Sequence, residues 1–183
     1  MLSLKINDQL QIRTLCEEDA EGLSACSVGY EPAAQINEWW FRDAHAFIRE
    51  GLHKAIGATG FSASIWYQGQ IVGIISLTIG GETHAGKADD STGRIDYGLM
   101  PAHRGKGIMT KACSTLIDYA FRELMIDRIE ITPDVVNTKS CAIPERLGFR
   151  MERVLERAVQ YTPDLTGDLA VYAISKGEWH NTG

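Results

Sequence analysis

One short run constrains this chain more than any other: Arg104-Gly105-Lys106-Gly107-Ile108-Met109-Thr110. It joins an expected strand, Arg94 to Met100, to an expected helix running to about Leu124. The strand Arg94-Ile95-Asp96-Tyr97-Gly98-Leu99-Met100 alternates polar and apolar residues, and Pro101 then stops strand pairing. Met109, Ala112, Cys113, Leu116, Ala120, Phe121 and Leu124 recur at three- and four-residue intervals, which places them on one buried helical face. A chain that goes from strand to helix through two glycines needs an α/β arrangement around that turn.

The same turn suggests chemistry. Glycine lets the backbone approach a ligand with no Cβ in the way. The first amides of a helix lack internal partners and sit at the positive end of its dipole. Phosphate or pyrophosphate binds readily there, and Arg104 and Lys106 add charge. Two familiar phosphate motifs are absent. A Walker loop needs Lys followed by Ser or Thr after its glycine, whereas Ile108 follows Gly107. A dinucleotide fingerprint needs a third glycine and an early strand. A plain glycine turn before a core helix is the competing reading.

A second segment adds weight. Arg128 to Asp134 reads as a strand, and Asn137-Thr138-Lys139-Ser140-Cys141-Ala142-Ile143-Pro144-Glu145-Arg146-Leu147-Gly148-Phe149 follows it. Asn137 suits a helix N-cap and Gly148 a C-terminal stop. Pro144 inside this helix should bend or shorten it. Together the two segments resemble the GNAT superfamily of acyl-CoA-dependent N-acyltransferases. Its R/Q-x-x-G-x-G/A signature is matched at Arg104 and Gly107. Its later N-x-x-S…R-L-G-F pattern is matched at Asn137, Ser140, Arg146, Leu147, Gly148 and Phe149.

The resemblance covers nearly the whole chain, residues 1–183, as a single domain. Leu10 to Leu15 and Glu17 to Leu23 look like the family's first strand and helix. Tyr67 to Leu77 looks like two strands joined by a tight turn, and Asp168 to Trp179 like the last strand. That ending, with Trp39-Trp40-Phe41, is most similar to the RimJ/RimL-type branch, whose members acetylate N-terminal amines of ribosomal proteins. Two positions depart from the pattern. Met109 stands where Gly or Ala is usual, although its place in the apolar helical pattern points it into the core. Arg94 replaces the usual carboxylate, and an acid, Asp96, appears two residues later on the same strand face.

Composition fits one enzyme domain. The 183 residues suffice for a sizeable core, and 44% hydrophobic with 23% charged residues is ordinary for a globular protein. No apolar run reaches the roughly 20 residues that span a bilayer. The N-terminus lacks a signal peptide's apolar core, so a cytoplasmic protein is expected. Lys plus Arg number 18 and Asp plus Glu 24, for a net charge of −6, which argues against a nucleic-acid partner. Cys16, Cys26, Cys113 and Cys141 show no Cys-x-x-Cys pairing and the histidines are scattered, so no metal site is expected. Gly80 to Gly93 and Tyr161 to Asp168 read as loops.

The resemblance implies a mixed, mostly antiparallel twisted sheet flanked by helices. The strands beside the Arg104–Leu124 helix should be parallel and splayed around the cofactor. Acetyl-CoA would be the acyl donor, with no metal. Amides of Gly105, Lys106, Gly107, Ile108, Met109 and Thr110 would hold the pyrophosphate. Leu99 and Met100 would pair with the pantetheine arm, and Asn137 would hydrogen-bond it. Ser140 would lie near the sulfur and donate to the thiolate; its alternative role is a helix-surface hydroxyl. A base must take a proton from the amine. Asp96 is the single best guess, with an acid paired to Arg94 or Arg128 as its competing role, and Glu38 and Glu31 are further candidates. One of Trp39 and Trp40 would face the acceptor, or both would pack in the core. The expected activity is acetylation of a primary amine, at a protein N-terminus. A small amine (aminoglycoside, polyamine or amino-acid conjugate) is the alternative acceptor. A non-catalytic acyl-CoA sensor is the alternative of another class. A homodimer is what the branch implies.

Overall fold

Buried apolar residues, alternating at Leu10 and Ile12 and continuous from Leu169 to Ile174, build the framework, and backbone pairing extends it beyond what the side chains announce. The structure is a computed structural model and describes residues 2–25, 60–83, 86–162 and 164–179. Its strands are β1 (Ser3–Lys5), β2 (Leu10–Thr14), β3 (Gly60–Tyr67), β4 (Gln70–Thr83), β5 (Gly86–Leu99), β6 (Arg128–Ile131), β7 (Arg150–Thr162) and β8 (Leu165–Ser175). Among the described residues its helices are α1 (Asp19–Ala25), α2 (Ile108–Glu123) and α3 (Thr138–Arg146), with a 3-10 turn at Pro101–His103. The strand order is β1-β2-β3-β4-β5-β6-β8-β7. The β1–β2, β2–β3, β6–β8 and β7–β8 pairs are antiparallel. β5 and β6 are parallel, with Thr92 opposite Arg128, Gly93 opposite Ile129 and Arg94 opposite Glu130. This is the mixed, mostly antiparallel sheet with helices that the sequence implied.

The chain forms two compact units. The first takes Met1–Leu77 and Tyr97–Thr115. Ile12, Leu23, Ile65, Val72, Ile75 and Leu77 fill its core. A buried carboxylate, Asp19, is fully met there: the Ser64 hydroxyl donates to it at 3.0 Å, Arg13 at 3.2 Å and the Cys16 amide at 3.3 Å. The Arg13 guanidinium also stacks 4.0 Å above Trp66, whose indole N–H donates to Ser64. The second unit takes Thr78–Asp96 and Leu116–Gly183. Leu116, Ile117, Ile126, Ile129 and Val171 fill its core. Arg128 holds buried Glu130 on its own strand and reaches Glu152 on β7 at 2.6 Å. Trp179 donates to Asp118 on α2 at 2.8 Å, tying down the chain that follows β8.

Two expected loops are mostly strand. Gly80 to Thr83 ends β4 and Gly86 to Gly93 begins β5, strands of 14 residues each. Tyr161 and Thr162 end β7, and Leu165 to Asp168 begin β8. In both places ladder hydrogen bonds satisfy backbone groups that polar, glycine-rich sequence alone assigns to turns. The strand expected from Arg128 to Asp134 stops at Ile131, and Asp134 makes an isolated bridge to Leu169. Pro144 lies inside α3, which ends two residues later at Arg146.

One close approach in the first unit fixes the end of β5. A Cβ on Gly73 would stand 2.4 Å from the Gly98 carbonyl oxygen and 3.1 Å from Leu99 Cδ1. Neither backbone can move cheaply, so Gly73→Ala is expected to destabilise the protein by about 1–3 kcal/mol. Denaturant unfolding of the variant measures this; an unchanged midpoint would contradict the close packing.

Candidate active site

The turn after β5 has the geometry that its glycines suggested. Gly105 and Gly107 adopt φ of +74° and +73°, which a side-chain-bearing residue takes only with strain. Nothing lies within 4 Å of where a Cβ would stand on either. Among the described residues, no acceptor meets the amides of Gly105, Lys106 or Gly107. Helix α2 begins at Ile108, and its first turn adds further amides with no internal partner. The result is an open row of N–H groups at the positive end of a 16-residue helix.

Side chains around this row divide into anchors and charges. Arg104 Nε donates to the Leu99 carbonyl at 2.9 Å. The Met100 amide donates to Val72 at 2.9 Å, and its carbonyl accepts the His103 amide at 2.9 Å. Lys106 is exposed, and Thr110 half-buried. Ile108 and Met109 are buried; Met109 is only 5% exposed, so its bulk goes into the core as its helical position implied. Sequence reasoning overlooked His103. Its ring meets Tyr67 edge-on at 6.0 Å, and its Nδ1 is buried without a hydrogen-bond partner. Burial, and secondarily the charge of Lys106, lower its pKa below 6.5.

In the second unit, Asn137 caps α3: its side-chain oxygen accepts the Ser140 amide at 3.1 Å. Ser140 therefore sits in the first turn of α3, half-buried. Cys141 beside it is buried and donates to the Asp134 carbonyl at 3.5 Å. Burial raises its pKa most, with the charges of Glu145 and Asp134 adding to the effect, so it stays a thiol. Tyr172 on β8 donates to Glu145 at 2.8 Å, and burial and this bond raise its pKa. Asp96 is 52% exposed and accepts Arg94 Nε at 3.1 Å. Trp39, Trp40, Glu31 and Glu38 lie outside the described residues.

Residues 9–150 match the model of the acetyltransferase (GNAT) domain family. The chain is a GNAT acetyltransferase. It is 32% identical over 98% of both chains to YdaF of Bacillus subtilis (strain 168), provisionally named a ribosomal N-acetyltransferase. Among solved structures it resembles the microcin C7 self-immunity acetyltransferase MccE, in complex with acetyl-CoA and AMP. There the TM-score is 0.75 at 26% identity, covering 93% of this chain and 94% of the other. It shares its fold with RimL, the ribosomal L7/L12 alpha-N-protein acetyltransferase, in complex with coenzyme A. The TM-score is 0.79 at 20% identity, covering 95% and 98% of the two chains. In this GNAT acetyltransferase the open amide row after β5 suits a group bearing phosphates.

His103 gives that turn a pH dependence. Its folded pKa is depressed, so the fold favours the neutral ring; that stability is present above pH 6.5 and is lost as pH falls through the lowered folded value. His103→Gln is expected to flatten the fall in unfolding free energy below pH 6.5. Denaturant titrations across pH 5 to 8 test this, and parallel curves for the two proteins would refute it.

Proposed function

We propose that this GNAT acetyltransferase moves an acetyl group from acetyl-CoA to a primary amine at a protein N-terminus, by direct attack within a ternary complex. One observation carries the donor: the row of unpartnered amides through Gly105 and Gly107, open where side chains would stand. In this reading the amides of Gly105 to Thr110 hold the pyrophosphate, with Arg104 and Lys106 supplying charge. Leu99 and Met100 line the pantetheine arm. Asn137 keeps its capping bond and offers its amide nitrogen to the same arm. Ser140 donates to the sulfur as the carbon–sulfur bond breaks. Bound acetyl-CoA would supply the activated thioester; the protein's share is to hold both reactants and to stabilise charge. For Asp96, exposed and paired with Arg94, we propose an ion-pair role instead of that of base. Trp39 and Trp40 are proposed to border the acceptor on sequence grounds.

The acceptor follows the name of YdaF and the activity of RimL. A small-molecule amine is the second reading, favoured by the likeness to MccE, a self-immunity enzyme. A cytoplasmic setting and a homodimer belong to the same proposal.

Thiol release from acetyl-CoA, measured against N-terminal peptides, polyamines, aminoglycosides and amino acids, tests the reading. Turnover with peptides is expected; turnover confined to small amines would move the assignment to the second reading. Gly107→Val forces a β-branched residue into positive φ and fills the open space beside the amides. It should weaken coenzyme A binding at least tenfold while the protein stays folded, and undiminished binding would sink the donor site. Ser140→Ala should lower kcat roughly 100-fold with coenzyme A affinity kept. Unchanged turnover would remove Ser140 from the mechanism.

A further inference from the structure

A carboxylate that the sequence did not single out lies close to the Ser140 turn. Asp134 follows β6 and precedes the Asn137 cap in the same connection. Its own carbonyl accepts both the Asn137 amide, at 2.9 Å, and the Cys141 thiol, at 3.5 Å. It is therefore packed against the first turn of α3, which carries Ser140. Oδ1 of Asp134 accepts the Val136 amide at 2.9 Å, which fixes the side chain. Oδ2 points elsewhere, toward Gly167 on β8.

Gly167 is a place where three elements converge. A Cβ there would stand 2.8 Å from Asp134 Oδ2 and 2.6 Å from both the hydroxyl and a ring carbon of Tyr161 on β7. The phenol and the carboxylate thus both lie against the side-chain-free face of Gly167. Asp134 is half-buried, yet no lysine or arginine among the described residues forms an ion pair with it. The neighbouring carboxylate, Asp168, is used differently: its Oδ1 accepts the Arg157 amide at 2.8 Å. A half-buried carboxylate with one oxygen fixed, a phenol beside the other and no cation in place suits an incoming ammonium group.

We propose that Asp134 Oδ2 and the Tyr161 hydroxyl, brought together over Gly167, form the seat of the acceptor's ammonium group. This rests on the proposed transferase reading and names the residues that select a cationic amine. The carboxylate accepts N–H hydrogen bonds from the ammonium, and the phenol oxygen accepts another. A neutral acetylated amine lacks the charge and is held less well, which favours release of product.

The test uses the full-length protein saturated with coenzyme A. A peptide with a free N-terminal serine, and its Nα-acetylated twin, are titrated calorimetrically. The wild type should prefer the free amine about tenfold or more. Asp134→Asn keeps the Oδ1 acceptor for Val136, so the connection should fold, and should lose that preference. Tyr161→Phe should weaken it in part. Gly167→Ala, which pushes a methyl group into the seat, should abolish it. A wild type indifferent to acetylation, or an Asp134→Asn variant that keeps the preference, overturns the proposal. Thiol release is measured on the same samples and separates the two readings. An amine preference that vanishes in Asp134→Asn, with no acetyl transfer to any acceptor, upholds the seat and refutes the reaction. Acetyl transfer with a preference untouched by Asp134→Asn does the reverse.

Discussion

The hydrogen bond from Arg104 to the Leu99 carbonyl closes the turn on which the passage from β5 to α2 depends. A strand must become a helix within eight residues, with the amides between them left unspent. Helix α2 cannot satisfy its own first amides, and β5 cannot continue past Pro101. The Met100 amide is fixed on Val72, the Met100 carbonyl on His103, and the Leu99 carbonyl on Arg104. Every anchoring bond of the turn is thus made by residues before Gly105. The amides of Gly105, Lys106 and Gly107 meet no acceptor among the described residues, and both glycines take positive φ. Gly73 supports the same arrangement from β4, since any side chain there would push the end of β5 away.

The second unit solves a different problem, that of holding polar groups half-buried without neutralising them. Its β7–β8 hairpin is long, and Arg128 ties β6 to β7 across the intervening strand through Glu152. Asn137 spends its oxygen on the helix cap, and Tyr172 spends its hydroxyl on Glu145. What is left near Ser140 is a small set of groups with capacity to spare, Asp134 among them.

Legibility in the sequence followed the range of the interactions. Helix α2 was readable because its buried residues recur at helical spacing within a single segment, and the structure buries Met109, Ala112, Cys113, Leu116, Ala120 and Phe121 as that spacing requires. The glycine turn and the Asn137 cap were readable because both are local backbone chemistry. The outer halves of β4 and β5 were not: Gly80-Gly81 and Asp89-Asp90-Ser91 carry turn residues, and Asp89 does make turn-like bonds to Ser91 and Thr92, yet strand pairing prevails. β7 was missed because it is an edge strand, exposed on both faces over much of its length, so Arg150 to Arg157 show no alternation. His103 and Asp134 were invisible for a related reason. What sets each apart is its surroundings, and those come from Tyr67 in one case and from Tyr161 and Gly167 in the other.

That distinction separates the glycine turn from the groups around Asp134. The glycine turn is encoded within a few consecutive residues, Gly105, Gly107 and the start of α2. The groups around Asp134 depend instead on register between β7 and β8, which shifts three times along the hairpin, once between Leu155 and Val159 and again between Gln160 and Thr162. A slip of one residue would turn Tyr161 to the other face of the sheet and leave Asp134 without its neighbour. On the proposal that Asp134 and Tyr161 seat the ammonium group, a change in β7–β8 register alters acceptor selectivity and leaves the glycine turn as it is.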